Sequence, residues 1–243
     1  MKETIVFVGP TLPAAEVRAR LPGATVAGPV AVGEVLALVR RRGRHLARLA
    51  IVDGYFEGMA AVWHKELLVA LARGIAVYGA ASMGALRAAE LAPYGMRGVG
   101  RIYRAFAAGR LVADDEVAVA HLPAEYGYRP TGDALVNLRE AIAAAPGLSA
   151  RTRAALVELA RARFYRERSL ARLVADARAA GLPARSIAAL AARPVPDRKA
   201  ADARLLLSHL ARGARDPGLA SRAAIAVPRT WALRQLEAWL DDG

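Results

Sequence analysis

Four times within its first 92 residues the chain alternates a short apolar run with an amphipathic segment. Strands covered on both faces read as continuous apolar runs, and crossover helices read as amphipathic ones, so this rhythm predicts a parallel α/β sheet. Residues 4–8 read as a buried strand ending in the turn Gly9-Pro10-Thr11, and 14–20 as a short helix. Residues 24–27 read as a second strand, and 32–42 as a helix with Val35, Leu36 and Val39 on one face. Residues 49–52 read as a central strand stopping at Asp53-Gly54, 61–73 as a helix, 75–78 as a strand, and 83–92 as a helix closed before Pro93. Right-handed crossovers place successive helices on the two faces of one sheet. The turns at the strand C-termini then gather along one edge, where open α/β sheets bind ligands. The expected fold class is α/β: an open, mostly parallel sheet with flanking helices, of the flavodoxin or Rossmann kind, plus a C-terminal helical region.

Past residue 97 the rhythm loosens. Residues 102–108 and 133–145 read as helices and 117–120 as extended. Pro146-Gly147 is a linker signal. After it the chain reads as helical over 149–168, 169–180, 184–192, 199–212 and 228–241, with breaks at Gly181, Pro183, Pro194, Pro196 and Pro217. The predicted organisation is an α/β core domain over 1–145 and an Arg/Ala-rich helical appendage over 146–243.

A hydrophobic content of 55% supports a sizeable core. The longest stretches free of charge, 21–33 and 74–86, fall short of the ~20 apolar residues a spanning helix needs, so no membrane segment is expected. The start MKETIVFVGP carries Glu3 within a short apolar stretch, unlike a secretory signal, which predicts a cytoplasmic protein. With no cysteine, disulfides, thiolate nucleophiles and zinc-thiolate sites are excluded. The formal charge of +13 is uneven, with 17 basic and 13 acidic residues in 1–145 against 18 and 9 in 146–243. Only Lys2, Lys65 and Lys199 are lysines, a compositional bias that makes net charge weak evidence about partners. The arginines are read mainly as solvated helix faces, and nucleic acid is not an expected partner, although the C-terminal helices are where it would bind.

The segment Tyr78-Gly79-Ala80-Ala81-Ser82-Met83-Gly84-Ala85 runs from a strand through small residues into a helix, approximating a nucleophile elbow with Ala80 where the first glycine would stand. Small neighbours give a substrate access to the Ser82 hydroxyl, and the N–H groups of Met83 and Gly84 are candidate oxyanion donors. The alternative is that Ser82 only caps the helix. Trp63-His64-Lys65-Glu66 opens the preceding helix. Its positive terminus disfavours protonated His64 and Lys65 while Glu66 opposes it, making either a candidate base; a packed histidine and a solvated lysine are the plain alternatives. Asp53, at the tip of the central strand, faces the same edge as an orienter or simply as part of an Asp-Gly turn. Gly9, Pro10 and Thr11 form another wall of that cleft. Arg87 and Glu90, three apart on one helix, either pair or project toward its mouth. Asp114, Asp115 and Glu116 with His121 make a poor metal set, since adjacent acids diverge, and no metal is expected. No P-loop or GxGxxG pattern is present, so no nucleotide cofactor is expected.

Taken in order, IVFVGPTLP (5–13), IVDGYFE (51–57), VWHKELLVAL (62–71), VYGAASMGALRAAEL (77–91), GVGRIYRAF (98–106), DDEVAVAH (114–121) and YRP (128–130) resemble the TfuA-like family. The resemblance spans roughly residues 3–140 and leaves the C-terminal third unmatched. It implies a part in peptide backbone thioamidation, as in ribosomal peptide biosynthesis, beside a YcaO enzyme that uses ATP. There a TfuA-like protein hydrolyses the C-terminal thiocarboxylate of a ThiS-like sulfur carrier and releases sulfide. A chain without cysteine fits a carrier that brings the sulfur, and ATP would belong to the partner. The expected catalytic set is Ser82 as nucleophile, Lys65 or His64 as base and Asp53 as orienter, with direct attack by water as the other route. Gly9, Pro10, Thr11, Gly54, Tyr55, Glu66, Met83, Gly84, Arg87 and Glu90 would bind the carrier's tail. The implied partners are the YcaO enzyme, the thiocarboxylated carrier and the substrate peptide. The competing reading is a non-catalytic module that presents the carrier or the peptide to YcaO.

Overall fold

The structure, a computed structural model, describes residues 3–56, 59–213 and 225–242. Strands β1 (Glu3–Phe7), β2 (Thr25–Ala27), β3 (Leu46–Ile51), β4 (Ala76–Ala80) and β5 (Arg97–Val99) form one sheet in the order β2-β1-β3-β4-β5, with every pairing parallel. Between them run α1 (Ala14–Arg20), α2 (Glu34–Arg42), α3 (His64–Ala72) and α4 (Met83–Leu91), and α5 (Arg101–Ala107) follows β5. This is the flavodoxin-like strand order, whose direction reverses between β1 and β3 and opens a crevice outside their C-terminal ends. The fifth βα unit is an addition to the four predicted. Its strand is only Arg-Gly-Val, too short to show a period, and it is fixed by register with β4, Tyr78 opposite Arg97 and Ala80 opposite Val99. The helix expected to close before Pro93 ends at Leu91, and Pro93 lies inside a 3-10 turn, Ala92–Tyr94.

Alternation along the strands sorts the core. Ile5, Phe7, Leu49, Ile51 and Val77 pack in one cluster with Val35 and Val39 of α2, Leu67 and Leu71 of α3, and Ala88 and Leu91 of α4. The neighbouring positions point the other way, where helix α10 (Arg198–Ala211) meets them. The His209 ring lies 5.6 Å from that of Tyr78, and Arg48 donates to the Leu210 carbonyl at 3.5 Å. Arg204 of α10 pairs with Glu16 of α1, and the buried Asp202 accepts from Ile102 N–H at 2.8 Å, capping α5. Helix α11 (Trp231–Asp242) lays Leu233 and Leu236 against Leu36 of α2. The last two helices therefore complete the sheet's own layers, whereas the sequence pattern gave them the look of an appendage.

The chain divides into two compact units, Met1–Arg110 with Ala201–Gly243, and Leu111–Ala200. The second is helical: α6 (Leu135–Ala144), α7 (Ala150–Ala162), α8 (Leu170–Ala179) and α9 (Ala184–Ala191) share a core containing Leu138, Ile142, Leu156, Leu173, Val174, Ile187 and Leu190. Pro146-Gly147 lies between α6 and α7, inside this unit. Residues 117–120, expected to be extended, join no strand; the pairing nearby is a single bridge, His121 to Pro130. Pro217 and Glu57 lie outside the described residues.

Candidate functional site

Three loops meet at the C-terminal edge of β1, β3 and β4. After β1 the chain turns at Gly9 and Thr11, whose N–H groups both donate to Asp53 Oδ2 at 2.9 and 3.0 Å, while the Thr11 hydroxyl donates to Oδ1 at 2.6 Å. Asp53 is 1% exposed. Its carboxylate thus closes the reversal point of the sheet by tying the β3 loop to the β1 loop. Beyond it, Val30 N–H donates to the Asp53 carbonyl and Tyr55 N–H to the Val30 carbonyl, which fixes Gly54 over the end of the sheet. A side chain at Gly54 would stand 2.9 Å from Met83 Cγ, so this loop touches the first residue of α4.

The third loop is the turn from β4 into α4. Ser82 N–H bonds back to the Ala80 carbonyl at 2.8 Å across Ala81, which has φ +66°. A non-glycine residue in that region costs roughly 1–2 kcal/mol. The sharp turn expected at Ser82 is real, but its strain sits one residue earlier; Ser82 itself has φ −115°. Ser82 takes the N-cap position of α4 without a side-chain capping bond, so capping does not occupy its hydroxyl, and it is 8% exposed. The glycines flanking it serve close packing. A Cβ on Gly79 would lie 1.9 Å from the Gly84 carbonyl oxygen, and one on Gly84 1.8 Å from that of Ile51. Gly84 N–H donates to the Val52 carbonyl at 3.3 Å, which corrects its assignment as an oxyanion donor. Met83 N–H has no acceptor among the described residues.

The second candidate group lies farther along α4, where Arg87 and Glu90 are five and eight residues past Ser82, about 7.5 and 12 Å along the axis. Glu90 Oε2 accepts from Arg87 at 2.8 Å and pairs with His64 Nε2 at 2.7 Å, while Arg87 Nε holds the Val62 carbonyl at 3.1 Å. The carboxylate can only accept, so the network assigns a proton to Nε2. Partial burial works to raise the Glu90 carboxyl, but hydrogen bonds from His64 and Arg87 outweigh it and hold the group below its ordinary range. The orienting acid for His64 is therefore Glu90. Asp53, predicted for that role, is committed to the 9–11 loop.

Lys65 and Glu66 go elsewhere. Lys65 Nζ donates to the Pro228 carbonyl at 3.4 Å. Glu66 is 0% exposed and accepts from Trp63 N–H at 3.0 Å and Leu36 N–H at 3.3 Å, so one carboxylate caps both α2 and α3. Burial pushes its carboxyl upward against these N–H donors. At this edge the chain thus supplies its own carboxylates to the starts of α2, α3 and α5, whereas α1 opens on Pro13 and α4 on Ser82 and the Met83 N–H. In the helical unit, Arg168 takes Asp115 Oδ2 at 2.5 Å and Arg139 holds Glu116 with two bonds, so these acids serve ion pairs within that unit.

No curated protein matches the chain. The family model described as TfuA-like protein matches residues 53–169, a span that begins at the carboxylate closing the sheet's reversal point and includes His64, Ser82, Arg87 and Glu90. Over those residues, a little under half of its length, the chain is similar to the TfuA-like family.

Proposed function

We propose that the chain hydrolyses the C-terminal thiocarboxylate of a ThiS-like carrier protein and releases sulfide for a YcaO-type partner that thioamidates a peptide. The observation carrying this reading is the β4–α4 turn: a strained residue, then a serine whose hydroxyl does not cap, at a helix start that no carboxylate caps among the described residues. A thiocarboxylate is anionic and a poor electrophile, so positive potential must offset its charge before attack. The α4 terminus and Met83 N–H supply that potential. In the first step the Ser82 oxygen bonds the carbonyl carbon, the C–S bond breaks, and the hydroxyl proton leaves with sulfur as hydrosulfide. Water then cleaves the acyl-serine, regenerating the hydroxyl and leaving the carrier as a carboxylic acid. The His64–Glu90 pair is the acid–base candidate.

The burial of Ser82 favours a second reading, a docking module that binds the carrier without cleaving it. One assay separates them: the pure protein is mixed with thiocarboxylated carrier and sulfide is measured. Release above background that falls at least 100-fold in Ser82→Ala supports the enzyme. Background release from the intact protein, with carrier bound, establishes the module instead.

A further inference from the structure

Residues 170–193 carry Arg172, Arg178, Arg185 and Arg193 against one acid, Asp176, which Arg163 holds through both carboxylate oxygens. No carboxylate pairs with any of those four arginines among the described residues. Arg172 and Arg178 lie on α8, Arg185 lies on α9 and Arg193 just past it; the two helices are joined by only four residues, Ala180-Gly181-Leu182-Pro183. Gly181 adopts φ +69°, its N–H returns to the Arg178 carbonyl, and Leu182 N–H returns to that of Ala177. Ala177 is fully buried four residues before this glycine. Leu173, Val174 and Ala177 of α8 meet Ile187 and Leu190 of α9 in one apolar cluster. Two short helices packed across a tight glycine turn have the connectivity of a helix-turn-helix.

The outward side of α9 sharpens this. Ala184, Arg185, Ala188 and Ala191 are exposed, as are Ala192 and Arg193 beyond its end, and no acid interrupts them. Methyl groups allow a helix to approach a surface closely, while arginines at either end can reach anions on both sides. Arg185 lies in the first turn of α9 and Arg193 two residues past its last, so the two arginines flank a helix of eight residues, about 12 Å long, that fits within the major groove. Arg172 and Arg178 are also exposed, on the helix that crosses the backbone in such motifs.

We propose that α8 and α9 form a duplex-DNA-binding site, with α9 in the major groove and Arg172, Arg178, Arg185 and Arg193 on phosphates. Alanine methyls read little beyond thymine methyl groups, so affinity comes from the phosphates and sequence preference is weak.

The test is fluorescence anisotropy of the full chain on a labelled mixed-sequence duplex of about 30 base pairs, titrated with salt. Four phosphate contacts predict a slope of log K against log[salt] of about −3.6, or roughly 150-fold weaker binding between 50 and 200 mM. The Arg185→Ala/Arg193→Ala variant should bind at least tenfold more weakly at 50 mM and reduce the slope by about 1.8, and Ala188→Glu should abolish binding, both with an unchanged thermal melt. An equal loss in Arg18→Ala/Arg41→Ala would mean that general basicity binds the duplex, and would overturn the proposal. Equal affinity for a single strand of the same length, or for polyglutamate of equal charge, would overturn it as well.

Discussion

Replacing Asp53 tests the closure of the sheet's reversal point. Three donors converge on its buried carboxylate, two backbone N–H groups on one oxygen and the Thr11 hydroxyl on the other. Asp53→Ala strands both amides, and a buried unsatisfied donor costs about 1–3 kcal/mol, so the loss is about 2–6 kcal/mol. At about 2–4 °C per kcal/mol for a chain of this size, the melting temperature should fall by roughly 5–20 °C. Asp53→Asn behaves differently, because its oxygen can take both amides while its NH2 donates to Thr11 Oγ1, whose proton turns away. Only charge assistance is lost, about 1–1.5 kcal/mol. Urea melts of both variants, and a double-mutant cycle of Asp53→Asn with Thr11→Val, measure these terms; the coupling should approach 1 kcal/mol. If Asn proves as damaging as Ala, or Ala costs nothing, the hydrogen-bond reasoning is refuted. A stable Asp53→Asn protein that releases no sulfide would show that the carboxylate's charge acts on the chemistry and not only on the loop.

Other outcomes follow from the same geometry. Gly84→Ala drives a methyl into the Ile51 carbonyl and should cost 3 kcal/mol or more, on the order of the larger overpacking penalties, read as a lowered urea midpoint. Glu90→Gln removes the acid that orients His64, so sulfide release should fall about tenfold or more while the melt barely moves; an unchanged rate removes His64 from the mechanism. The hydrogen bond from Arg204 holds the Glu16 carboxyl down at about 2, from an ordinary 4.5. A depressed carboxyl stabilises the fold above its unfolded value, and that support is lost as pH falls from about 4.5 through about 2. Glu16→Gln should therefore flatten the acid limb of a stability–pH curve in that window, with no change near neutrality in the shape of the curve.

The sequence was most legible where local pattern decides structure. Strands β1, β3 and β4 are apolar runs and α1 to α4 carry a helical period, so both the α/β class and the edge that carries the candidate site follow from periodicity. Strand β5 escapes because Arg-Gly-Val has neither length nor alternation and exists by pairing with β4. Long-range side-chain partners escape for a related reason. Asp53 lies 42 residues from the Thr11 it binds, and His64 lies 26 from Glu90. Position at the right edge could be read, but not which hydroxyl or carboxylate each group would face. The glycines at 79 and 84 show a further limit: their smallness was read as room for a substrate, whereas backbone carbonyls occupy that room.

Helix α10 ties Arg204 to Glu16 and Asp202 to Ile102, separations of 188 and 100 residues. During synthesis, the sheet therefore waits with one apolar side incompletely covered until residues 198–211 have been made. Val6, Ala50 and Tyr78 would meet water, or a chaperone, in the meantime. A shortened gene product stopping at 145 should behave as a sticky, chaperone-bound fragment, and a linker engineered to join residue 110 directly to 201 should yield a soluble α/β unit.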